Sequence, residues 1–543
     1  MNISNPIVKI KTLSTIEQTA LVLLVSFGML LTLLFGFFWF DPANVPRNFP
    51  HNTFGRAIDI FIYALLTYVV WHQILNELFV WIVSLFMRDS KYMHAQPGHK
   101  VAFLTAFVPG KEPYDVLDKT LNAMVNCDYP HETWLLDEGN DEIARGICKK
   151  YGVIHYSRKG REHYNTKEGK YRAKTKAGNY NSWCHQYAKK YDFIAQLDVD
   201  FVPKKNFLTK TLGFFSDPSV GFVGTPQIYG NQDESWIARA AAEQAFSFYG
   251  TTQRGLFGLD MVLFIGANHV VRVAAHSHIG GYSGHIVEDH LTGMRFYSNR
   301  WKSVYVPEVL AIGEGPATWS AYFGQQMRWA YGLIHILLTE SPRIFPRMKL
   351  KHSVNYFLLQ QYYFDGIAQA IGILLLVLFF LFGINATLMP IKPLLAFLLP
   401  VLIWQQIISL WLQRYNINPR EERGLLLKGK LLSLAAWPVY FMAFLSVFAG
   451  KRLGYEVTPK GNAQIHKIDL NLFFPHALFG TATAICLIAG FVSNNAPMNL
   501  IIVALLNTLA MYGFVTWALW DRLKLWYYEK MSQRILKVAR TTV

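Results

Sequence analysis

The sequence predicts an α/β domain inserted between two groups of helices that cross a membrane. Of the 543 residues, 52% are hydrophobic and 15% are aromatic, and the mean hydropathy of +0.18 is too high for an ordinary soluble enzyme. Long apolar runs lie towards both ends of the chain, whereas short β-rich runs alternate with helical segments between Lys100 and about Pro342. The composition therefore indicates a membrane protein, and the alternation indicates that its central part folds outside the membrane.

The membrane region is predicted from apolar runs of roughly the 20 residues that a helix needs to cross a bilayer. Six such runs are residues 19–40, 57–87, 366–383, 394–412, 474–492 and 500–520. A seventh run, 431–448, contains Trp437-Pro438 and lies between two basic segments, 414–430 and 451–467. Because basic segments stay in the cytoplasm, this run cannot cross once, and we expect an interfacial or re-entrant helix.

Positive residues also predict the orientation. Lys9 and Lys11 precede the first run, Arg88 and Lys91 follow the second, and residues 522–540 follow the last. We expect these flanks in the cytoplasm, in a multi-pass protein of the plasma (inner) membrane. The predicted domains are an N-terminal region with two spans (1–97), a cytoplasmic α/β domain with an interfacial helix (98–350), and a C-terminal membrane region (351–543).

The composition also bears on other functions. Basic residues beside the apolar runs and in the loop 158–176, which we interpret as a solvated insert, explain the net charge of +16, so we expect no nucleic-acid partner. The first run is long, lacks a small-residue cleavage pattern and is followed by another run, which indicates an anchor rather than a signal peptide. The cysteines have no paired metal spacing, so we expect free thiols at Cys127, Cys148, Cys184 and Cys486.

The central domain begins with alternating strands and helices. VAFLTAFVP is expected to form a strand, residues 114–126 a helix, ETWLLDEG a strand, residues 141–151 a helix, and FIAQLDVDFVP a buried strand. Ligands of open α/β sheets bind beyond the carboxyl ends of the strands. Asp137 ends the second strand, and Asp198 and Asp200 end the third, so these acids lie where a ligand is expected.

The two acids of LDVD are candidate metal ligands. Side chains two residues apart share one face of a strand, and carboxylates are hard oxygen ligands that suit Mg²⁺ or Mn²⁺. Acids also end strands as solvated turn residues, so this motif alone leaves both interpretations open.

A second candidate site lies in the run GQQMRWAYG, just before the C-terminal membrane region. On a helix, Gln325, Arg328 and Trp329 share one face. Indole offers a flat apolar platform, and guanidinium forks onto anionic oxygens, so this face suits a sugar and its departing phosphates. An interfacial helix anchored by Trp and Arg is the structural alternative, and both interpretations are compatible.

Seven motifs, taken in order, carry a resemblance to a known family. They are LLDEGND, KAGNYN, LDVD, TPQ, VEDH, QQMRW and YEVTPKG. With these motifs, residues 100–470 resemble the membrane-bound processive glycosyltransferases of family 2, and bacterial cellulose synthase catalytic subunits in particular. The resemblance implies an α/β GT-A glycosyltransferase domain inserted in an α-helical transmembrane domain of about six spans plus interfacial helices.

The resemblance also implies roles for individual residues in a UDP-sugar-dependent hexosyltransferase. It places Asp137 at the uridine, and Asp198 and Asp200 near the diphosphate and its divalent cation, Mg²⁺ or Mn²⁺. Asp289 is the implied catalytic base, beside Glu288. The other implied donor-binding residues are Glu112, Lys176, Gln227, Arg328, Thr458 and Lys460, and the implied acceptor-binding residues are Trp329 and Gln325.

The acidic pair of VEDH has a simpler interpretation, because acids at a helix start are favoured by the helix dipole. Val287 stands where the family usually has threonine, which removes a hydroxyl that can cap the following helix. The segment YEVTPKG, within the loop 451–467, resembles the family's gating loop, which covers the nucleotide, and a plain basic loop is its alternative.

Two further departures concern substrate contacts. The family's first-strand TYNE-like motif appears as VPGKEP, so only Glu112 and Pro113 align and no tyrosine is available for the uracil. The family's GSC motif appears as GANHVVR, with Gly266 and Asn268. Either change is compatible with a different sugar or linkage.

The sequence thus predicts a processive inverting β-glycosyltransferase that converts UDP-glucose into a β-glucan, cellulose-like or β-1,3-linked, and translocates it. The alternatives are a synthase of hyaluronan, chitin or another N-acetylhexosamine polymer, a non-processive glycolipid transferase, and a nucleotide-sugar-binding receptor without turnover. The expected partners are the UDP-sugar, the nascent polysaccharide, membrane lipid, and an accessory export subunit or a second copy of the chain. A cyclic-di-GMP-binding domain is not expected within this chain.

Overall fold

The computed structural model describes residues 7–451, 453–454, 470–493 and 497–541. Its strands are β1 Lys9–Lys11, β2 Arg88–Ser90, β3 Val101–Phe107, β4 Glu132–Asp137, β5 Ile154–Tyr156, β6 Phe193–Asp198, β7 Val202–Pro203, β8 Val220–Gly224, β9 Ile228–Tyr229, β10 Asn268–Arg272, β11 Lys302–Tyr305 and β12 Ala311–Gly313.

The α-helices surround and flank these strands. They are α1 Thr15–Trp39, α2 Thr53–Ser84, α3 Tyr114–Val125, α4 Glu142–Tyr151, α5 Lys176–Tyr187, α6 Phe207–Leu212, α7 Trp236–Ser247, α8 Gln253–Gly258, α9 Val273–His278, α10 Glu288–Ser298, α11 Trp319–Thr339, α12 Ser341–Ile344, α13 Leu350–Gln361, α14 Asp365–Phe382, α15 Ile391–Leu412, α16 Leu427–Phe448, α17 Phe474–Ser493 and α18 Met498–Thr541.

The main sheet belongs to the central α/β domain. Its strand order is β11-β8-β10-β6-β3-β4-β5. Strands β6, β3, β4 and β5 run parallel to one another and β11 runs parallel to β8, whereas β10 runs antiparallel to both β6 and β8. The parallel strands are almost fully buried because helices pack over the sheet, as expected for apolar runs without alternation. The predicted α/β fold class is therefore confirmed.

The segment FIAQLDVDFVP differs from the prediction of a single strand. β6 ends at Asp198, where the backbone N–H of Asp198 donates to Ala267 O, and Phe201 N–H closes a turn onto Asp198 O. The chain then enters a separate three-stranded sheet of order β7-β12-β9. Asp198 and Asp200 consequently lie in a turn between two sheets rather than on one strand face.

Among the residues that the structure describes, seven helical segments are long and apolar enough to span a membrane. They are Thr15–Trp39, Thr53–Ser84, Leu350–Phe382, Ile391–Tyr415, Leu427–Phe448, Leu470–Val492 and Met498–Trp520. Two precede the α/β domain and five follow it, so the expectation of a membrane protein with an inserted domain is confirmed. Six of these segments correspond to the six predicted spans, and the seventh is α16, which was predicted to be an interfacial or re-entrant helix.

Helix α16 is continuous although Pro438 lies inside it. It packs along the α/β domain, because Glu243 accepts from Gly429 N–H at 2.9 Å and Gln244 donates to Ser433 Oγ at 2.8 Å. Further along, the Tyr440 hydroxyl donates to Gln326 of α11 at 3.1 Å. Helix α16 also packs on α17, since the Trp437 and Phe479 rings are 4.4 Å apart and His476 Nε2 lies 2.8 Å from Ala435 O. The expected interfacial or re-entrant placement of α16 therefore stays a prediction.

Candidate active site

Lys176 and Asp198 form the centre of the candidate site. Lys176 is the first residue of α5, whose N-cap is Thr175, and Asp198 is the last residue of β6. The Lys176 ammonium lies 2.5 Å from Asp198 Oδ1 and 3.9 Å from Glu288 Oε1, and it donates to Gly266 O at 2.7 Å. The structure thus brings together acids from β6 and α10 that are about 90 residues apart in the sequence.

The acidic pair Glu288 and Asp289 occupies the first turn of α10. Asp289 Oδ2 accepts from Gly266 N–H at 3.1 Å, and its Oδ1 accepts from His290 N–H at 2.8 Å. Val287 is the N-cap and provides no side-chain hydrogen bond, as its replacement of threonine predicted. The Asp289 carboxylate therefore takes one of the helix N–H groups that an N-cap hydroxyl normally takes.

The environment of this pair favours proton acceptance. Burial raises the pKa of Glu288 to about 7, with the Lys176 charge opposing and the Asp289 charge reinforcing the shift. Burial also raises the pKa of Asp289, although hydrogen bonds from His290 and Gly266 and the charges of Lys176 and Arg328 oppose the shift. A carboxylate whose pKa approaches the working pH is a better general base than a solvated one.

A cavity of about 10 Å³, close to the volume of one water, lies behind this pair. Gln196 of β6 faces it, and the Gln196 Oε1 atom has no hydrogen-bond partner among the described residues. The other polar residues around the cavity are Lys176, His269, Tyr282, Glu288 and Asp289. Sequence analysis missed Gln196 because a glutamine inside an apolar strand carries no recognisable motif.

Asp200 lies beside Asp198 in the turn after β6, and its Oδ2 accepts from Glu314 N–H at 3.2 Å. Within the described ranges, no group of three or more His, Cys, Asp or Glu residues is arranged to hold a metal ion. Mg²⁺ and Mn²⁺ are nevertheless often bound by one or two carboxylates together with substrate phosphates. The oxygen donors of Asp198 and Asp200 fit that arrangement, and the Lys176 ammonium already marks a cation position at Asp198.

Asp137 is fully buried at the end of β4. Its carboxylate accepts from Gly139 N–H at 2.8 Å and Asp141 N–H at 2.5 Å, and lies 2.9 Å from His155 Nε2. Asp137 thus holds the turn that follows the strand, and its predicted uridine contact stays a prediction. Glu112 similarly closes a turn, because its Oε2 accepts from Val108 N–H at 2.6 Å.

The basic loop 158–176 contains a buried arginine that the interpretation as a solvated insert did not predict. Arg158 is fully buried and forms a two-pronged ion pair with Glu138 at 2.8 and 3.0 Å. The guanidinium also donates to the carbonyls of Tyr164, Tyr171, Arg172 and Thr175. Arg158 therefore fixes the loop that leads into Lys176, and Glu138 of the DEG motif is its counter-ion.

Helix α11 carries the predicted acceptor face. Gln325 is buried, Trp329 is partly buried against the core, and Arg328 is near enough for its charge to lower the pKa of Asp289. α11 also contacts the VEDH segment through Gly332, where an added Cβ would lie 2.5 Å from Val287 Cγ2. The structure thus places the QQMRW helix beside the VEDH pair.

A histidine pair, which sequence analysis did not single out, joins the same two segments. His285 Nε2 lies 3.1 Å from His335 Nδ1 of α11, and His285 Nδ1 lies 3.3 Å from the backbone N of Val287. Tyr331, one turn before His335, donates to Lys451 O at 2.7 Å. Lys451 begins the predicted gating loop, whose Thr458 and Lys460 lie outside the described residues.

Gln227 and Asn268, the two remaining residues singled out in the sequence, form hydrogen bonds with neighbouring residues. Gln227 Oε1 accepts from the Tyr249 hydroxyl at 3.0 Å. Asn268 is fully buried and donates to Pro226 O at 2.8 Å, so it supports the turn before Gln227 rather than facing an acceptor.

Comparison with known proteins agrees with this geometry. Residues 193–408, which include Asp198, Asp200, Glu288, Asp289 and the α11 face, match the family described as glycosyl transferase family group 2. Residues 193–408 are thus similar to the glycosyltransferases of this family. The expected relationship to cellulose synthases is also confirmed, at modest identity.

Two curated relatives illustrate that relationship. The chain is 25% identical over 366 residues to the cellulose synthase catalytic subunit [UDP-forming] of Pseudomonas fluorescens, covering 65% of this chain and 47% of the relative. It is 27% identical over 278 residues to the cellulose synthase 1 catalytic subunit [UDP-forming] of Komagataeibacter xylinus, covering 49% of this chain and 35% of the relative. The chain thus spans less than half the length of these relatives.

Solved structures with partial similarity include a mannosyltransferase, PcManGT, from Pyrobaculum calidifontis in complex with GDP-Man and Mn²⁺. The sequence identity is 14%, the TM-score is 0.44, and the alignment covers 65% of this chain and 96% of that one. Glucosyl-3-phosphoglycerate synthase from Mycobacterium tuberculosis, in complex with Mn²⁺ and UDP, is 12% identical with a TM-score of 0.27 over 38% of this chain.

Proposed function

We propose that the protein is a processive, inverting β-glycosyltransferase that polymerises a UDP-sugar, with UDP-glucose and a cellulose-like or β-1,3-linked glucan as the first candidates. The observation that carries this proposal is the position of Asp289. Its partly buried carboxylate lies at the start of α10, beside Lys176 and Gly266 and within the field of Arg328 on the acceptor helix. A base placed between a donor site and an acceptor face is the arrangement that glycosyl transfer needs.

Asp289 acts as the general base. The acceptor hydroxyl gives its proton to the Asp289 carboxylate while its oxygen forms a bond to the anomeric carbon of the donor. The bond between that carbon and the phosphate oxygen breaks, and its electron pair leaves with UDP. One displacement inverts the anomeric configuration, so a single base suffices, whereas glycosidases commonly use two carboxylates.

The leaving diphosphate requires positive charge. Asp198 and Asp200 would hold Mg²⁺ or Mn²⁺, which neutralises the charge that develops on the phosphates. Arg328 and Lys176 add positive charge beside the site, and guanidinium suits phosphate oxygens through paired N–H donors. Asp137, Glu112 and Gln227 are proposed on the donor side because they organise the turns that surround the strand ends.

The acceptor sugar is proposed to stack on Trp329, with Gln325 nearby, because these residues lie on the helix that contacts the VEDH segment. The polymer would leave between α11 and α16, where the Tyr440 hydroxyl donates to Gln326 Oε1 at 3.1 Å. Thr458 and Lys460 are proposed to close over the bound nucleotide.

The proposal includes the location and the domain organisation. The α/β domain, residues 98–350, would face the cytoplasm, where UDP-sugars are made available, and regions 1–97 and 351–543 would lie in the inner membrane. Membrane lipid, the growing polysaccharide, and an accessory export subunit or a second copy are the proposed partners.

The test is incubation of the purified full-length protein, in lipid nanodiscs, with single UDP-sugars and Mg²⁺ or Mn²⁺. We expect UDP release and polymer only with UDP-glucose, and the product should be digested by linkage-specific β-glucanases. Polymer from UDP-N-acetylglucosamine instead would indicate a hyaluronan or chitin type of synthase. Short lipid-linked product would indicate a glycolipid transferase, and absence of turnover with every donor would favour a receptor.

A further inference from the structure

Lys176 is largely buried and lies close to two acidic side chains, Asp198 and Glu288. Its side chain is only 12% exposed, and its ammonium contacts Asp198 at 2.5 Å with Glu288 at 3.9 Å. Asp198 is the carboxylate proposed for the divalent cation. The ammonium therefore occupies a position that a metal ion would need.

We propose that Lys176 is an internal counter-ion, which neutralises Asp198 when no divalent cation is bound and transfers its contact to Glu288 when the cation arrives. This inference rests on the proposed function, because it requires a divalent cation at Asp198. It goes further because it assigns the Lys176 ammonium one position without the cation and another position with it.

The geometry allows this transfer with a small movement. An ammonium and a dication repel each other and cannot share one carboxylate oxygen, so binding of the cation displaces the Lys176 head from Asp198. Glu288 is the neighbouring acid and is itself largely buried, with 14% of its side chain exposed, so it gains from a closer cation. Four methylene groups let the Lys176 ammonium move towards Glu288 while it keeps its hydrogen bond to Gly266 O.

The same movement links the cation site to the base. Gly266 accepts from Lys176 with its carbonyl and donates to Asp289 with its N–H. Lys176 is therefore a positioning residue, whose place between Asp198 and Glu288 depends on the cation. A lysine that served the donor phosphates alone would not influence metal binding in the absence of nucleotide.

The experiment measures binding of Mn²⁺ alone to the purified full-length protein by electron paramagnetic resonance, without nucleotide. Lys176→Met should bind Mn²⁺ about 5-fold or more tightly than the wild type, because the competing cation is removed. The matched control is Lys174→Met, which removes the same charge from an exposed position two residues away. Lys174→Met should bind Mn²⁺ like the wild type, as should Lys176→Arg, which keeps the cation.

The remaining outcomes contradict either the counter-ion role of Lys176 or the proposed function. Equal Mn²⁺ affinity of the wild type and Lys176→Met overturns the counter-ion role and leaves the proposed function intact. Absence of Mn²⁺ binding in the wild type and in every variant also overturns the counter-ion role, whereas the proposed function is overturned only by absence of UDP release with every UDP-sugar in the presence of Mg²⁺ or Mn²⁺. If Lys176→Met is not monodisperse after purification, Lys176→Gln gives the same comparison, since it also removes the charge.

Discussion

Gly266 and Asp289 are joined by a hydrogen bond of 3.1 Å from the backbone N–H of Gly266 to Asp289 Oδ2. The carbonyl of Gly266 accepts from Lys176 Nζ at 2.7 Å. One glycine peptide thus holds both the proposed base and the cation beside it. The closeness of this contact explains why the position carries glycine, since a Cβ at Gly266 would lie 3.0 Å from Asp289 Oδ2.

Gly266→Ala should therefore lower kcat without unfolding the protein. The added methyl group requires the Asp289 carboxylate to shift by a few tenths of an ångström, and a misplaced base should lower the rate by several-fold, less than the roughly 100-fold loss that a 1 Å displacement can cause. Initial rates of UDP release at saturating donor measure the effect. Gly146→Ala is the control, because its Cβ meets no atom within 4 Å and should leave kcat unchanged. A wild-type kcat for Gly266→Ala would contradict the proposed contact.

Asp289→Asn should abolish transfer, with a loss of about 100- to 10,000-fold, because an amide cannot accept the acceptor proton. UDP and Mn²⁺ should still bind with near wild-type affinity, since Asp289 contacts neither in the proposed arrangement. Calorimetry with UDP and rate measurements separate the two effects. The exposed Asp115→Asn serves as the charge-matched control. Substantial residual polymer synthesis by Asp289→Asn would remove Asp289 from the role of base.

The pH dependence follows from the raised pKa values of the acidic pair. Because Glu288 and Asp289 must be anionic for activity, kcat/KM should fall as the pH decreases towards 6, well above the range of a solvated carboxylate. The folded state binds protons more tightly here than the unfolded chain does, so the contribution of Glu288 to stability decreases as the pH rises from 4.5 to about 7. Glu288→Gln removes the like charge, and the acid limb of its remaining activity should move to lower pH. An acid limb near pH 4 in the wild type would contradict the raised pKa values.

Much of the site was predictable because the acids end strands or begin helices, and local periodicity identifies such positions. Asp137, Asp198 and Glu288 lie where the strand and helix patterns placed them. The role of Gly266 was not predictable, since its contacts join Lys176 and Asp289 across 90 and 23 residues. The burial of Arg158 was also not predictable from its loop, because it depends on the counter-ion Glu138, which lies 20 residues away in the sequence. The break between β6 and β7 likewise depends on pairing with β12, far along the chain.

Trp329→Ala should stop elongation and leave UDP binding unchanged, because the acceptor sugar loses its stacking platform. Product length, measured by gel electrophoresis of labelled polymer, reports this effect. Trp520→Ala is the control for membrane anchoring, since Trp520 is exposed near the end of the last apolar helix. Normal product length with Trp329→Ala would assign Trp329 to anchoring alone.

The placement of α16 can be tested by labelling single cysteines in a chain whose four native cysteines are replaced by alanine. Glu421→Cys precedes α16 and Lys451→Cys follows it. Because α16 contacts the α/β domain through Gly429, Ser433 and Tyr440, both cysteines should react with an impermeant maleimide only after the cell is permeabilised. Reaction of Lys451→Cys in intact cells would show that α16 crosses the membrane.

The most direct test of the central claim is the length of the product at low turnover. Purified protein is given a limiting amount of radiolabelled UDP-glucose with Mn²⁺, and the polymer is sized after each protein molecule has transferred a few sugars on average. A processive β-glycosyltransferase predicts a minority of protein molecules carrying long β-glucan chains, and no product from Asp289→Asn. A uniform population of very short products, or transfer that persists in Asp289→Asn, would contradict the account.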